Sequence, residues 1–154
     1  MAEFVQHTGQ YLSQADSLAI ATYLTSKIQA PEPAKKPTAA VLAASSPSTE
    51  TLYANHCATC HGKSGEGQTN VYPTLAGNPA VVLASPENLI QMVLYGGYGP
   101  STAGRPRPYG MPPYLFTLNN QQIADVLNHI RSQWGNQAPT VSPMQVDRVR
   151  AATY

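Results

Sequence analysis

Cys57-Ala58-Thr59-Cys60-His61 is the stretch on which the reading of this chain turns. These are the only two cysteines in 154 residues, and a histidine directly follows the second. C-x-x-C-H is the attachment signature of a c-type haem. The two thiols can add across two vinyl groups, which places the His61 imidazole to ligate the iron from one side. Three other chemistries use a C-x-x-C pair. A dithiol redox site belongs near a βαβ pattern, and no strand-rich segment flanks this one. Structural zinc wants four ligands, whereas His7, His56 and His129 are scattered without ligand spacing. A disulfide would close a very small loop and stabilise little. None of the three gives His61 a role.

Composition narrows the field further. The net charge is +1 and charged residues make up 11% of the chain, which argues against a nucleic-acid partner or an anionic membrane surface. Fourteen prolines and eleven glycines imply long loops. A chain with so little regular structure has a small core of its own, which suits folding around a large prosthetic group. No apolar run approaches a membrane span. Met1-Ala2-Glu3-Phe4-Val5-Gln6-His7 lacks the basic start and apolar centre of a signal peptide.

Outward from the motif, local signals predict three main helices. The first starts near Glu50, capped by Ser48 or Thr49, and runs into Cys57 with Leu52, Tyr53 and His56 at helical spacing. Gly62, Gly65 and Gly67 then mark an irregular loop. The second takes Ser85 as N-cap and Pro86 as first helical residue. It carries Leu89, Ile90, Val93 and Leu94 and stops at Gly96-Gly97. A long loop from Tyr98 to Thr117 holds Pro100, Pro106, Pro108, Pro112 and Pro113. The third opens on Asn119 and Gln122 at capping-box spacing, shows Ile123, Val126, Leu127, Ile130 and Trp134 on its apolar face, and ends at Gly135. A tail follows, with one short helix starting at Ser142-Pro143, and no strong strand is expected.

Residues 49–136, with helix, C-x-x-C-H, Pro73-Thr74-Leu75-Ala76-Gly77, middle helix, Gly110-Met111-Pro112-Pro113 and closing amphipathic helix, resemble a class I cytochrome c domain. The resemblance implies an all-α fold: a small class I cytochrome c fold with three main helices and long loops around one covalent haem c. It implies that Cys57 and Cys60 hold the haem, that His61 is the proximal iron ligand and that the Pro73 carbonyl accepts a hydrogen bond from its ring. A ligating histidine needs such a partner to fix its orientation. Leu75 would pack on the haem face. Met111 would be the sixth ligand, a soft thioether held in a loop that Pro112 and Pro113 stiffen. Of the other methionines, Met92 reads as core filler, Met144 lies in the tail and Met1 begins the chain. Arg105 or Arg107 could pair with a haem propionate. Tyr53 would meet the closing helix near Val126 and His129, with His129 a packing residue where the family usually has an aromatic ring. His56 is expected to face solvent.

The front of the chain echoes the closing helix. Leu12-Ser13-Gln14-Ala15-Asp16 followed by Ala19-Ile20-Ala21-Thr22-Tyr23-Leu24 parallels Leu118 to Gln122 followed by Asp125 to Ile130. The expected organisation is therefore a remnant of an upstream cytochrome c domain (1–29), a Pro/Ala/Ser-rich linker (30–48), the haem domain (49–136) and a C-terminal tail (137–154). Together these resemble the end of a multi-haem cytochrome c subunit of membrane-bound alcohol- or gluconate-type dehydrogenases. That resemblance implies a bacterial periplasmic address at the inner membrane, with peripheral membrane association through a parent complex. It also implies redox partner proteins, a dehydrogenase subunit on one side and a quinone or oxidase on the other. The expected function is electron transfer through a His/Met-ligated haem, not catalysis. The alternatives are a haem enzyme or ligand-binding sensor with an open distal site, and a haem-free interaction module.

Overall fold

A computed structural model of the chain describes residues 2–27 and 47–152, so nearly all of the expected linker lies outside the described residues. The described chain forms two units. One contains the N-terminal residues together with Tyr98–Pro108, and the other contains residues 47–97 and 109–152.

In the first unit, α1 (Ala2–His7) leads through a single 3-10 turn into α2 (Gln14–Lys27). Ser13 starts α2, accepting the Asp16 N–H at 3.1 Å. Gln10 ties Tyr98–Pro108 to these helices, donating to the Ser101 carbonyl at 3.4 Å and accepting the Ala103 N–H at 3.1 Å. The apolar residues Leu18, Tyr23 and Leu24 of α2 are all exposed.

The second unit is built from α3 (Pro47–His56), α4 (Ala58–His61), α5 (Pro79–Val82), α6 (Glu87–Tyr95), α7 (Asn120–Ser132) and α8 (Pro143–Ala151). The fold is all-α, with α3, α6 and α7 as the three main helices. Two dipeptide strands, β1 (Gly97–Tyr98) and β2 (Gly110–Met111), pair into a small sheet in what the sequence marks only as loop. One core cluster joins Ile90 and Leu94 of α6 to Ile123 and Leu127 of α7 and to Val146 of α8. A second joins Tyr53 of α3 and Val81 of α5 to Val126 and Ile130 of α7. Thus α7 serves both clusters. Each such aliphatic side chain contributes about 1.5–3 kcal/mol on full burial.

Several boundaries differ from the sequence expectation, for local reasons. α3 already includes Pro47, so Ser48 and Thr49 lie in its first turn instead of capping it; the fixed φ of proline suits that turn. Pro86 is the N-cap of α6, with φ −88°, and not its first helical residue. Its carbonyl accepts the Ile90 N–H at 2.9 Å, while the Ser85 hydroxyl turns to the Glu87 carboxylate. The capping box of Asn119 and Gln122 forms as expected. At the other end, α7 stops at Ser132, and Trp134 lies beyond it with φ 55°. That turn sends the indole away from the helix stripe and onto Tyr53, ring centroids 5.1 Å apart. Met92 is 47% exposed on α6 and is not core filler. The tail supplies α8, whose Ser142–Gln145 capping box starts a helix that buries Val146 and Val149 in the core.

Candidate functional site

The helix break at Cys57 creates the centre of the site. The Cys57 N–H still donates to the Tyr53 carbonyl of α3 at 2.8 Å, but its own φ of −123° ends that helix. Its carbonyl then accepts from His61 N–H at 2.9 Å, starting the single turn of α4. Both cysteines are half-buried, with no disulfide between them. Burial, with Cys60 beside it, pushes the Cys57 thiol up to about 11.

Gly62 ends α4 with φ 81°, and its carbonyl accepts the Tyr53 hydroxyl at 2.7 Å. The chain then folds back beneath His61. Gly67 N–H donates to the His61 carbonyl at 2.7 Å, and Leu75 N–H to the Gly65 carbonyl at 2.7 Å. Gly67 has φ 63°, and a Cβ there would stand 2.6 Å from the Tyr72 carbonyl oxygen and 2.7 Å from that of Pro73. Only glycine permits this approach. The consequence is that the Pro73 carbonyl lies 3.0 Å from His61 Nδ1. With Nδ1–H donating there, the ring offers Nε2 as a metal donor. Leu75 is half-buried against the second core cluster, alongside Cys57.

Met111 sits on β2, half-buried against the first core cluster. Its backbone presses on Gly96, where a Cβ would lie 2.2 Å from the Met111 carbonyl oxygen. Beyond Pro112 and Pro113, Tyr114 N–H donates to the Val93 carbonyl at 3.1 Å and Leu115 N–H to that of Leu94 at 3.0 Å. The last carbonyls of α6 thus hold the methionine loop, satisfying acceptors the helix leaves open. The Tyr114 hydroxyl donates to the His56 carbonyl, and the two rings meet edge-on with centroids 5.7 Å apart. His56 is therefore half-buried, not solvent-facing as expected. Burial raises the Tyr114 phenol, with Cys57 and Cys60 adding to the shift.

Cys57, Cys60, His61, Pro73, Leu75 and Met111 all belong to the second unit. Arg105 and Arg107 belong to the first. Arg105 is half-buried, its backbone paired with Thr102 in a turn, and Arg107 is exposed. Asn136, which sequence reasoning missed, is 3% exposed and joins the loop after His61 to the end of α7. Its amide donates to the carbonyls of Leu75 at 3.0 Å and Ile130 at 2.8 Å, and its oxygen accepts the Gly77 N–H at 2.9 Å. Nothing in the local sequence distinguishes this asparagine from a turn residue.

The donor set fits a haem. It offers two unpaired cysteines at attachment spacing, an imidazole oriented through Nδ1, and a half-buried thioether on a stiff loop. Among the described residues no three His, Cys, Asp or Glu side chains gather as a metal cage, which leaves the zinc alternative without its ligands there. The dithiol alternative lacks its βαβ setting, since the described strands are only two residues long.

Comparison with known proteins agrees. Residues 49–134 match the profile of the family described as Cytochrome c. The chain is 39% identical over 163 residues to the cytochrome c subunit of alcohol dehydrogenase (quinone) from Gluconacetobacter polyoxogenes, covering 97% of this chain and 34% of that protein. It is 35% identical over 162 residues to the gluconate 2-dehydrogenase cytochrome c subunit of Pantoea cypripedii, covering 97% of this chain and 36% of that one. Cytochrome c-552 of Thermus thermophilus is 38% identical over 88 residues, 55% of this chain and 66% of its own. The chain spans about a third of the length of the dehydrogenase subunits it matches. It belongs to the cytochrome c family, as an electron-transfer domain that carries a covalent haem c.

Proposed function

We propose that the domain is a His/Met-ligated electron carrier, with His61 and Met111 as the axial ligands and Cys57 and Cys60 as the points of covalent attachment. The observation that carries this reading is the 3.0 Å contact between His61 Nδ1 and the Pro73 carbonyl, which leaves the opposite ring nitrogen for iron. When bound, the haem supplies a ferric/ferrous couple that gains and loses one electron. His61 and Met111 would hold the iron: the loop from Gly62 to Pro73 orients the imidazole, and the carbonyls at the end of α6 hold the thioether loop. Leu75 provides apolar cover.

The relatives named as cytochrome subunits of alcohol, gluconate and fructose dehydrogenases support a place in such an assembly. The domain would take electrons from a dehydrogenase subunit and pass them to a quinone or oxidase, at the periplasmic face of a bacterial inner membrane. No helix among the described residues is long and apolar enough to cross a membrane. Residues 1–29 would close an upstream domain of the same kind. The capped helix α2 and the apolar side chains it leaves exposed support that reading.

Met111→Ala tests the ligand assignment. The expected result is loss of the iron–thioether absorption of the ferric protein, ready carbon monoxide binding by the ferrous protein and a lower reduction potential. An unchanged potential refutes the assignment. Carbon monoxide binding by the wild-type protein would instead favour a haem sensor or enzyme with an open distal site.

A further inference from the structure

We propose that Tyr72 and Tyr109 form a strap that holds the Met111 loop in register with the loop orienting His61; the proposal rests on the reading of His61 and Met111 as axial ligands. The two rings meet with centroids 5.4 Å apart at 48°, a tilted aromatic contact. Each ring stands beside a key position of the site. Tyr72 immediately precedes Pro73, whose carbonyl faces His61 Nδ1. Tyr109 immediately precedes β2, which carries Met111.

The two partners differ in how firmly they are held. Tyr72 is fixed through its backbone. Its carbonyl accepts the Gln68 N–H at 2.9 Å, and its N–H donates to the Gln68 carbonyl at 2.9 Å. Tyr109, by contrast, is 63% exposed and stands where the chain re-enters the second unit after Tyr98–Pro108. On its C-terminal side Met111 is secured by Tyr114 and Leu115 on the carbonyls of α6. On its N-terminal side β2 pairs with β1, and the ring of Tyr109 rests against that of Tyr72. A thioether is a neutral ligand in equilibrium between bound and released forms. Anchoring the loop at both ends depopulates the released form, because less conformational freedom is gained on release. Both tyrosines are thus positioning residues.

The test uses the haem-loaded chain and added imidazole, which competes for the methionine position of the ferric iron. Tyr109→Ala is expected to raise the apparent imidazole affinity about two- to tenfold, the range of one aromatic pair. Tyr109→Phe, which keeps the ring, should match wild type. The double variant Tyr72→Ala/Tyr109→Ala should exceed Tyr72→Ala alone by less than Tyr109→Ala exceeds wild type. Additive effects, or a Tyr109→Ala protein indistinguishable from wild type, overturn the strap. Should Tyr72→Ala fail to retain haem, the Tyr109→Ala and Tyr109→Phe pair decides the question alone. Wild-type protein without iron–thioether absorption overturns the Met111 assignment and the strap with it. A wild-type band combined with an inert Tyr109→Ala overturns the strap only.

Discussion

His129 is 7% exposed and lies between two rings, its centroid 5.3 Å from Tyr53 and 5.5 Å from Trp134. Its Nδ1 is buried without a hydrogen-bond partner. Desolvation lowers the imidazole below its ordinary value, partly offset by Glu50. A base with a depressed folded value adds stability that is complete above its unfolded value, about 6.5, and is lost as the pH falls through the folded value. The unfolded chain then takes up a proton that the packed ring resists. The thermal midpoint of the haem-loaded protein should therefore decline as the pH falls below about 6.5. His129→Phe should flatten that decline while keeping the aromatic packing; an unchanged slope would assign the acid sensitivity elsewhere. The sequence placed His129 at this helix crossing correctly, because Tyr53 and His129 each fall on a helical period that local patterning reveals. It could not show the orphaned nitrogen, which depends on Trp134 leaving the helix and folding back.

At the scale of elements, α7 is held by more than its apolar stripe. Arg131 is 1% exposed, and its guanidinium donates to the carbonyls of Val81 at 2.6 Å, Leu83 at 2.9 Å and Pro139 at 2.9 Å. It thereby ties the end of α5 and the approach to α8 onto α7. Removing it leaves three acceptors to be satisfied some other way, and an unsatisfied buried acceptor costs about 1–3 kcal/mol. Arg131→Met should lower denaturant stability by about 3 kcal/mol, allowing for partial rehydration. Arg131→Lys should recover little, since one ammonium cannot match a planar fork that points three ways. Full recovery by lysine would show that charge, and not geometry, holds the segment. On sequence alone Arg131 looks like a helix-terminal cation, because its partners stand 50 and 48 residues away for Val81 and Leu83.

At the scale of the whole chain, α8 completes the core of the second unit. Val146 is 0% exposed within the cluster formed by α6 and α7. Arg150 reinforces the contact, donating to Asn120 Oδ1 at 2.8 Å and the Leu118 carbonyl at 3.0 Å. Val146→Ala should cost about 2 kcal/mol by opening a cavity, measured as a lower denaturation midpoint. The ferric absorption spectrum should stay unchanged, because the backbone bonds of Tyr114 and Leu115 to α6 still hold the Met111 loop that packs on this cluster. A spectral shift would mean that α8 helps set the ligand geometry.

What the residues determine by themselves is what short-range chemistry encodes. The attachment motif, the capping boxes at Asn119 and Ser142 and the glycine stop at Gly96 each need only neighbours within a turn, so a linear reading suffices. Tertiary packing alone decided the burial of Arg131 and Asn136, the exposure of Met92, the place of α8 in the core and the meeting of Tyr72 with Tyr109. These depend on which distant backbone or ring arrives alongside, as when Asn136 meets Leu75 across 61 residues. Such encounters are set by how the helices cross, and hydrophobic periodicity specifies a helix face without naming its partner.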